Sequence, residues 1–438
     1  MIVVSLVIGM GIFKTPSNVA KQAGSADMFF IAWIVGGIVA LCGALTYAEI
    51  GSRYPVTGGY YKIFSYCYHP SIAFAINCII LVSNAASLAG VALIGSEYLT
   101  NVLFEGRKDA EMIKLTISTI AIILFYGVNL MGLKMSAKAQ NVLTIIKIGL
   151  VLMLISALFT GEEYANTFTT SIPGADGTSW SSYLKAFGAC LVAVSFTYGG
   201  YQQTINFGGE VNNASRIMPR AIFLGIGIIM LLYLTINYTY YKVIGFGGLK
   251  TAESIAAILA GKIFGESGFT ILSILLFLSV LAYVNVLLMS NPRVMYAMSE
   301  EGVLPAIFRK TNPRTNVMVT SLTVFAAICI VTLFYARTFE EILNYTIFLD
   351  SIGMATSAAT IFVLRRRTKN LKSENIYKMK LFPLMPVIFI GTYLFVGTSI
   401  AINEPKAAWV SMLIFAAFFI LYFVLKSIKP KDYQTASR

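Results

Sequence analysis

Two apolar segments of the chain are interrupted by glycine in a way that would expose backbone groups. The first contains Gly9 and Gly11, and the second contains Gly199 and Gly200. Glycine lowers the cost of leaving helical geometry and lets a ligand approach the main chain. A half-helix that begins at a break offers free N–H groups to an anion, and one that ends there offers carbonyls to an ammonium. Two crossed breaks predict a site for a zwitterion, unless the glycines merely permit close helix packing.

Charged side chains also lie within apolar segments. Lys147 and Asp350 are both surrounded by apolar sequence, and an ionisable residue inside a membrane is costly and is a functional candidate by default. The alternative for Lys147 is a side chain that reaches the membrane surface. Asp350 would carry a proton or bind a cationic substrate, or else cap backbone N–H groups or pair with a neighbour. Glu49 and Glu210 are predicted to pair with basic residues of nearby loops.

The composition indicates which elements position these residues. Of 438 residues 57% are hydrophobic and 12% are charged, and the mean hydropathy is +0.76. These values exclude a disordered chain, a disulfide-rich secreted domain and a soluble enzyme. A membrane-spanning helix needs about 20 apolar residues. The sequence contains twelve such segments, near 1–22, 28–51, 71–99, 114–131, 139–159, 183–208, 218–241, 267–298, 317–336, 341–364, 382–402 and 407–426.

The glycine breaks therefore fall in the first and sixth predicted spans, five spans apart. Interrupted segments at corresponding positions of two halves indicate a transporter built from inverted repeats. The stretch 251–264 is amphipathic and too short to span, so it is predicted to be a helix at the membrane surface. The predicted fold class is an all-α integral membrane protein with about twelve transmembrane helices.

The basic residues predict the orientation. With the N-terminus inside, the cytoplasmic connections and tail hold 20 of the 33 Lys and Arg residues and the external connections hold eight. This bias in short loops predicts that both termini are cytoplasmic. The net charge of +13 is spread over several loops instead of forming one basic face, which argues against nucleic-acid binding.

The residues that metal sites and hydrolytic enzymes use are sparse. The five cysteines, Cys42, Cys67, Cys78, Cys190 and Cys329, match no zinc or redox spacing, and the single histidine lies in a short polar connection. We therefore expect no metal ion and no cofactor. An intramembrane enzyme would need clustered catalytic side chains within the spans, so the sequence predicts a protein that is not an enzyme.

Several motifs occur in the order found in a known family. They are IGMGIF at 8–13, EIGSRYPVTGG at 49–59, AQNVLTIIK at 139–147, FTYGGY at 196–201, Glu210 with MPR at 218–220, and RVMYAMSEEGVLP at 293–305. Together they resemble the signatures of amino acid–polyamine–organocation (APC) transporters, closest to the L-type amino acid transporter branch. Each motif alone is weak, but their common order covers nearly the whole chain.

The resemblance implies a LeuT-type fold of two inverted five-helix repeats with helices 1 and 6 broken, followed by helices 11 and 12. The expected divisions are a first repeat, an external connection, a second repeat, a basic cytoplasmic loop, helices 11–12 and a cytoplasmic tail. Their bounds are 1–160, 161–182, 183–366, 367–381, 382–426 and 427–438. The resemblance also leads us to expect a cytoplasmic arm and the first turn of span one before Met1.

The resemblance further implies a substrate site at the two breaks. The carboxylate would meet the N–H groups of Met10 and Gly11, and the amine would meet the carbonyls of Val7, Phe196 and Gly199. Phe196 would also be the aromatic gate. Met10 and Tyr201 replace the family's usual serine and tryptophan. The expected substrate-binding set is Val7, Ile8, Gly9, Met10, Gly11, Phe196, Tyr198, Gly199, Gly200 and Tyr201.

By the same resemblance, Lys147 takes the place of a sodium ion and bridges the first span near Gly9 to the eighth near Asn285. The expected coupling and gating residues are thus Lys147, Asn285, Phe196 and Asp350. The expected function is sodium-independent exchange of neutral L-amino acids by alternating access. A proton-coupled amino acid importer and an amine or polyamine carrier remain alternatives.

The remaining expectations concern partners and location. We expect a multi-pass protein of the cell membrane, in contact with the lipid bilayer and with its amino acid substrate, as a monomer or weak homo-oligomer. The resemblance connects some relatives to a heavy chain through a cysteine in the external loop after span three. Residues 100–113 here contain no cysteine, so no disulfide-linked heavy chain is expected.

Overall fold

The structure, a computed structural model, describes residues 2–104, 109–159, 180–252, 254–335, 339–369 and 376–427. Within these ranges the chain is helical apart from short connections, and a single isolated bridge pairs Thr57 with Phe207. The predicted all-α fold is confirmed.

Each half of the chain begins with a broken helix. The first half forms α1 (Ile2–Val7), α2 (Gly11–Ala23), α3 (Ala26–Arg53), α4 (Gly59–Cys67), α5 (Pro70–Leu103), α6 (Ala110–Leu130) and α7 (Leu133–Ile155). The second half forms α8 (Trp180–Tyr198), α9 (Ala214–Ile244), α10 (Phe246–Thr251), α11 (Ile255–Phe264), α12 (Gly268–Glu300), α13 (Val319–Tyr335) and α14 (Phe339–Arg367). The last two helices are α15 (Leu384–Asn403) and α16 (Pro405–Ser427).

All twelve predicted spans lie on helices, and nine helices of the described ranges are long and apolar enough to cross a membrane. Span one is not among the nine because its break leaves helices of 6 and 13 residues, and α13 is also short, with 17 residues. Helix α8 of span six has 19 residues but is less apolar than the nine. The surface helix predicted at 251–264 corresponds to α11. The short helices α4 and α10 were not predicted.

Local sequence explains where several helices begin and end. The side chain of Ser25 accepts a hydrogen bond of 3.3 Å from the N–H of Met28 at the start of α3, as expected of an N-cap. At the start of α5, His69 accepts from the N–H of Ser71, and Pro70 occupies the first helical position. Gly58, with φ of +66°, allows the sharp entry into α4.

The long helices α5 and α12 occupy the centre of the bundle. Helix α12 packs against α5, α6, α7 and α13, whereas α5 also contacts α14 and α16. We call the membrane face at which α2 ends the outer face, and the face at which α3 ends the inner face, following the predicted orientation.

Candidate functional site

The first break is a gap between two half-helices. Helix α1 ends at Val7 and α2 begins at Gly11. The N–H groups of Gly9, Met10 and Gly11 donate no hydrogen bond to any described residue. These are the orphan donors expected at a helix N-terminus, and they suit a carboxylate.

The second break crosses the first. Helix α8 ends at Tyr198, and the chain resumes as a 3₁₀ stretch, Tyr201–Asn206. Between them Gly200 has φ of +106°, and a Cβ added there would lie 2.3 Å from the carbonyl oxygen of Leu6. Only glycine fits both the backbone conformation and this close approach. The side chain of Gln202 accepts the N–H of Gly200 at 2.9 Å, a contact that the sequence analysis missed.

Of the carbonyls expected to receive the substrate amine, those of Val7 and Phe196 each already accept one hydrogen bond within the protein. The hydroxyl of Tyr233 donates to the carbonyl of Val7 at 3.1 Å, and the N–H of Gly199 donates to the carbonyl of Phe196 at 3.2 Å. A carbonyl oxygen has two lone pairs, so both remain able to accept a second donor.

The breaks border a cavity of about 460 Å³. Its lining includes eight of the predicted site residues, namely Val7, Gly9, Met10, Gly11, Phe196, Gly199, Gly200 and Asp350. The lining residues Lys14, Asn18 and Gln22 are exposed, whereas Tyr60 and Asn291 at the opposite end are buried. The cavity therefore opens towards the outer face and is closed towards the inner face.

Phe196 lines the cavity, and 42% of its surface is exposed. Three other predicted binding residues do not line the cavity, namely Ile8, Tyr198 and Tyr201, and all three are buried. The ring of Tyr198 packs against Trp33 and Tyr233, and that of Tyr201 packs against Tyr47.

Lys147 is fully buried on α7, with 0% of its surface exposed. Its ammonium donates to the carbonyls of Ile8 at 2.5 Å and Ser5 at 3.5 Å, so it bonds to the last turn of α1 and the break. Its side chain therefore lies inside the protein and does not reach the membrane surface, which was the alternative. An ammonium suits this end of α1 because the last carbonyls of a helix lack partners within it.

The predicted bridge from Lys147 to Asn285 is not made directly. The amide of Asn285 instead donates to Gln140 at 2.6 Å and to the carbonyl of Ser136 at 3.1 Å. Gln140 in turn donates to the hydroxyl of Ser5 and to the carbonyl of Ala282 at 3.0 Å. Gln140, about two turns before Lys147 on α7, therefore connects α1 to α12. The quoted motif at 139–147 contains it, but its side chain had no assigned role.

Asp350 lies on α14, is half-buried and lines the cavity. It forms no hydrogen bond or ion pair with any other described residue. Among the described residues Asp350 therefore has no partner to pair with or to cap, which argues against the alternative of a structural carboxylate.

The inner end of the cavity is polar, which the sequence analysis did not predict. Gln203, Asn84 and Asn291 come from three different helical segments and form a chain of hydrogen bonds across it. The sequence does contain a signal for this polar end, since amide side chains lie within strongly apolar spans. Such groups need hydrogen-bond partners in a membrane interior.

Two glutamates hold ion pairs at the inner face, and their arginine partners lie on helices α3, α12 and α14 instead of in the loops that were predicted to supply them. Glu210 accepts two hydrogen bonds from Arg293, at 2.7 and 2.6 Å, and the guanidinium lies 4.5 Å from the centre of the Phe207 ring. Glu49 is fully buried and pairs with both Arg53 and Arg365, each at 2.7 Å. These contacts close the inner side of the bundle.

The arrangement offers free N–H groups, carbonyls and an aromatic side chain around one cavity, which together can hold a zwitterion. No group of three or more potential metal ligands occurs among the described residues.

Comparisons with known proteins agree with this geometry. Residues 1–425 match the amino acid permease family. The serine/threonine exchanger SteT of Bacillus subtilis (strain 168) is 27% identical over 98% of this chain and 95% of its own. The human cystine/glutamate transporter is 25% identical over 100% and 86% of the two chains. The human large neutral amino acids transporter small subunit 2 is 25% identical over 99% and 80%.

The family match spans nearly the entire chain, and the relatives are membrane transporters. The broken helices, the cavity between them and this match have one explanation: the chain is a multi-pass membrane transporter, not an enzyme, and it belongs to the amino acid permease family of the APC superfamily.

Proposed function

We propose that this protein exchanges neutral L-amino acids across the cell membrane by alternating access, without sodium. The observation that carries the proposal is the pair of crossed breaks. Gly9, Met10 and Gly11, whose N–H groups have no partner among the described residues, line the cavity together with Val7 and Phe196. A carboxylate and an α-amino group on one carbon fit these donors and acceptors together.

The ammonium of Lys147 supports independence from sodium. Sodium binds to carbonyl oxygens, and broken transporter helices commonly provide them. Here the carbonyls of Ser5 and Ile8 accept hydrogen bonds from Lys147. A cation that is part of the protein takes the place at which a soluble ion would bind.

Exchange is supported by the name of one relative, which is a serine/threonine exchanger. The matching experiment uses purified protein in liposomes. Vesicles preloaded with unlabelled amino acid should take up labelled amino acid faster than empty vesicles, with or without a sodium gradient. Equal uptake by loaded and empty vesicles would reject exchange, and dependence on sodium would reject the role of Lys147.

Asp350 favours a second candidate, a proton-coupled importer or an amine or polyamine carrier. Its carboxylate lines the cavity without a protein partner among the described residues, so it is available to a proton or to a cationic substrate. Concentrative uptake driven by a pH gradient alone would select the first of these functions. Counterflow of an amine without a carboxylate would select the second.

The remaining parts of the proposal concern assembly. Both termini lie in the cytoplasm, the repeats at 1–160 and 183–366 surround the substrate, and the protein works as a monomer or weak homo-oligomer. All five cysteines lie in described residues as free thiols, and none is in the connection between α5 and α6. We therefore propose that it needs no disulfide-linked heavy chain.

A further inference from the structure

A second cavity, of about 680 Å³, shares no lining residue with the cavity at the helix breaks. It lies between the connection from α6 to α7 and the connection from α12 to α13. Helices α6 and α12 both run from the outer to the inner face, so both connections lie at the inner face. The cavity is therefore bordered by both halves of the chain, at the level where the lipid head groups begin.

The two connections are in contact. Gly132 precedes α7, and a Cβ added to it would lie 3.4 Å from the carbonyl oxygen of Thr315. Lys134 and Arg314 are near neighbours of these two residues in the sequence, and both line the cavity. The fold thus brings two cationic side chains, one from each half of the chain, to a single cavity.

Neither cation has an acidic partner in the part of the chain that the structure describes. The side chains of Lys134 and Arg314 are exposed and form no ion pair or hydrogen bond with a described residue. Among the described lining residues the one acid is Glu210, and both of its oxygens are bonded to Arg293. Like charges at one site repel each other, so this cavity favours an anion.

Neutral donors add to the two charges. Thr311 and Asn316 also line the cavity, are exposed, and have side chains that form no hydrogen bond with a described residue. Hydroxyl and amide groups can donate to an anion beside lysine and arginine. A phosphate group, which presents several acceptor oxygens, suits such a set of donors.

Part of the cavity lining is apolar and exposed. Met131 and Leu133 flank the turn between α6 and α7, line the cavity, and are 60% and 36% exposed. At the membrane interface, apolar side chains enter the boundary between head groups and acyl chains. A ligand with a phosphate next to hydrocarbon matches both parts of the cavity, whereas a soluble phosphate matches only the cations.

We propose that this cavity binds an anionic phospholipid of the inner leaflet, with its phosphate at Lys134 and Arg314 and its acyl chains against Met131 and Leu133. Basic pockets between spanning helices on the cytoplasmic side suit such head groups. The proposal does not depend on the proposed exchange, because it uses no residue of the substrate cavity. A lipid bound here connects the two halves of the chain at the inner face.

The test is binding of phosphatidylglycerol to the purified, delipidated full chain, measured by native mass spectrometry with phosphatidylcholine as the neutral reference. We expect the wild-type protein to bind phosphatidylglycerol at least about tenfold more tightly than phosphatidylcholine. Replacing both cations, by Lys134→Gln and Arg314→Gln together, should remove this preference. Equal affinity of the wild-type protein for the two lipids would overturn the proposal.

A matched pair of charges provides the control. Lys138 lies on α7 and Lys310 lies in the connection from α12 to α13, and both are exposed without lining the cavity. Lys138→Gln and Lys310→Gln together should keep the wild-type preference. If both double variants lose it equally, the lipid responds to the overall charge of the inner face, and the cavity is not its site.

Two further measurements identify the source of the phosphate and the folded variants. Inorganic phosphate should not displace phosphatidylglycerol, and displacement would assign the cavity to a soluble phosphate instead of a lipid. Phosphatidylglycerol should raise the melting temperature of the wild-type and control proteins but not that of the Lys134→Gln, Arg314→Gln protein, because a ligand stabilises only the state that binds it. An equal rise in all three would contradict the proposal.

Melting without added lipid shows which variants are folded. If the double variant is not folded, the single variants Lys134→Gln and Arg314→Gln replace it. Each should lower the preference for phosphatidylglycerol at least about threefold. Folded single variants that both keep the wild-type preference would overturn the proposal.

Discussion

The ammonium of Lys147 lies 2.5 Å from the carbonyl oxygen of Ile8, the residue that follows the last turn of α1. One side chain of α7 thus supplies the positive charge at the end of a broken helix.

Replacing Lys147 with methionine should reduce exchange by about 10- to 100-fold, because hydrogen bonds to a charged group contribute about 1.5–3 kcal/mol. Methionine keeps most of the side-chain volume, so the cavity left in the core is small. The measurement is initial exchange rate per folded protein, with folding followed by size-exclusion chromatography. Unchanged exchange in a folded variant would contradict a role for the ammonium.

Replacing Gly200 with alanine should destabilise the protein and abolish exchange. The backbone at Gly200 has φ of +106°, and the added Cβ would lie 2.3 Å from the carbonyl oxygen of Leu6. The strain alone costs about 1–3 kcal/mol, and the clash pushes the two breaks apart.

A matched glycine provides the control. Gly127 lies within α6, and a Cβ added there meets nothing within 4 Å. Gly127→Ala should therefore leave exchange unchanged and raise stability by up to about 1 kcal/mol, since alanine favours a helix more than glycine does. Thermal unfolding of both variants compares them, and similar melting temperatures would count against the crossing described at Gly200.

Replacing Glu49 with glutamine should lower thermal stability strongly. Glu49 is fully buried, and it also accepts the N–H of Met379 at 2.9 Å besides pairing with Arg53 and Arg365. Removing one partner of a buried pair costs about 3–5 kcal/mol because it leaves unpaired charge behind.

The comparison is with Glu300, which pairs with Lys62 at 2.5 Å while remaining 34% exposed. Solvent screens such a pair, so Glu300→Gln should cost no more than about 1 kcal/mol. Both values come from thermal unfolding in detergent. A Glu49→Gln protein as stable as Glu300→Gln would show that the buried group is not a main support of the inner face.

Replacing Glu210 with glutamine should open the inner face. Its pair with Arg293 is bidentate, and such charge-assisted contacts are among the strong ones in proteins. Val294 lines the inner end of the cavity and is 2% exposed, so a cysteine introduced there reports opening.

In a Val294→Cys background, Glu210→Gln should make that cysteine react about tenfold faster with a membrane-impermeant thiol reagent added at the inner face, corresponding to about 1.4 kcal/mol. Glu300→Gln in the same background should leave the rate as it was. Equal rates in the two variants would mean that Arg293 and Glu210 do not hold the inner face closed.

The sequence was sufficient for features that depend on long-range composition. Apolar length gave all twelve spans, and paired glycines located both breaks, because a helix in a membrane is interrupted only where other protein or a cavity satisfies its backbone. The short helix α4 was missed, since its nine residues include Lys62 and three tyrosines and are too few to register as a span.

Side-chain direction was harder to predict. Tyr198 and Tyr201 flank a glycine with positive φ, so the helical register of α8 does not continue past the break, and both rings point into the protein interior. The family resemblance implied that Lys147 and Asn285 connect α1 to α12. Gln140 makes it instead, since its amide both donates and accepts.

The position of Lys147 has a consequence for the energetics of transport. Its charge is covalently attached to α7, so it cannot leave with the substrate as a bound ion would. A neutral zwitterion moving inwards for each one moving outwards then transfers no net charge, and the membrane potential, which does about 2.3 kcal/mol of work per charge at 100 mV, does none on the cycle. Such a carrier would alter the composition of the amino acid pool on each side of the membrane and keep its total size constant.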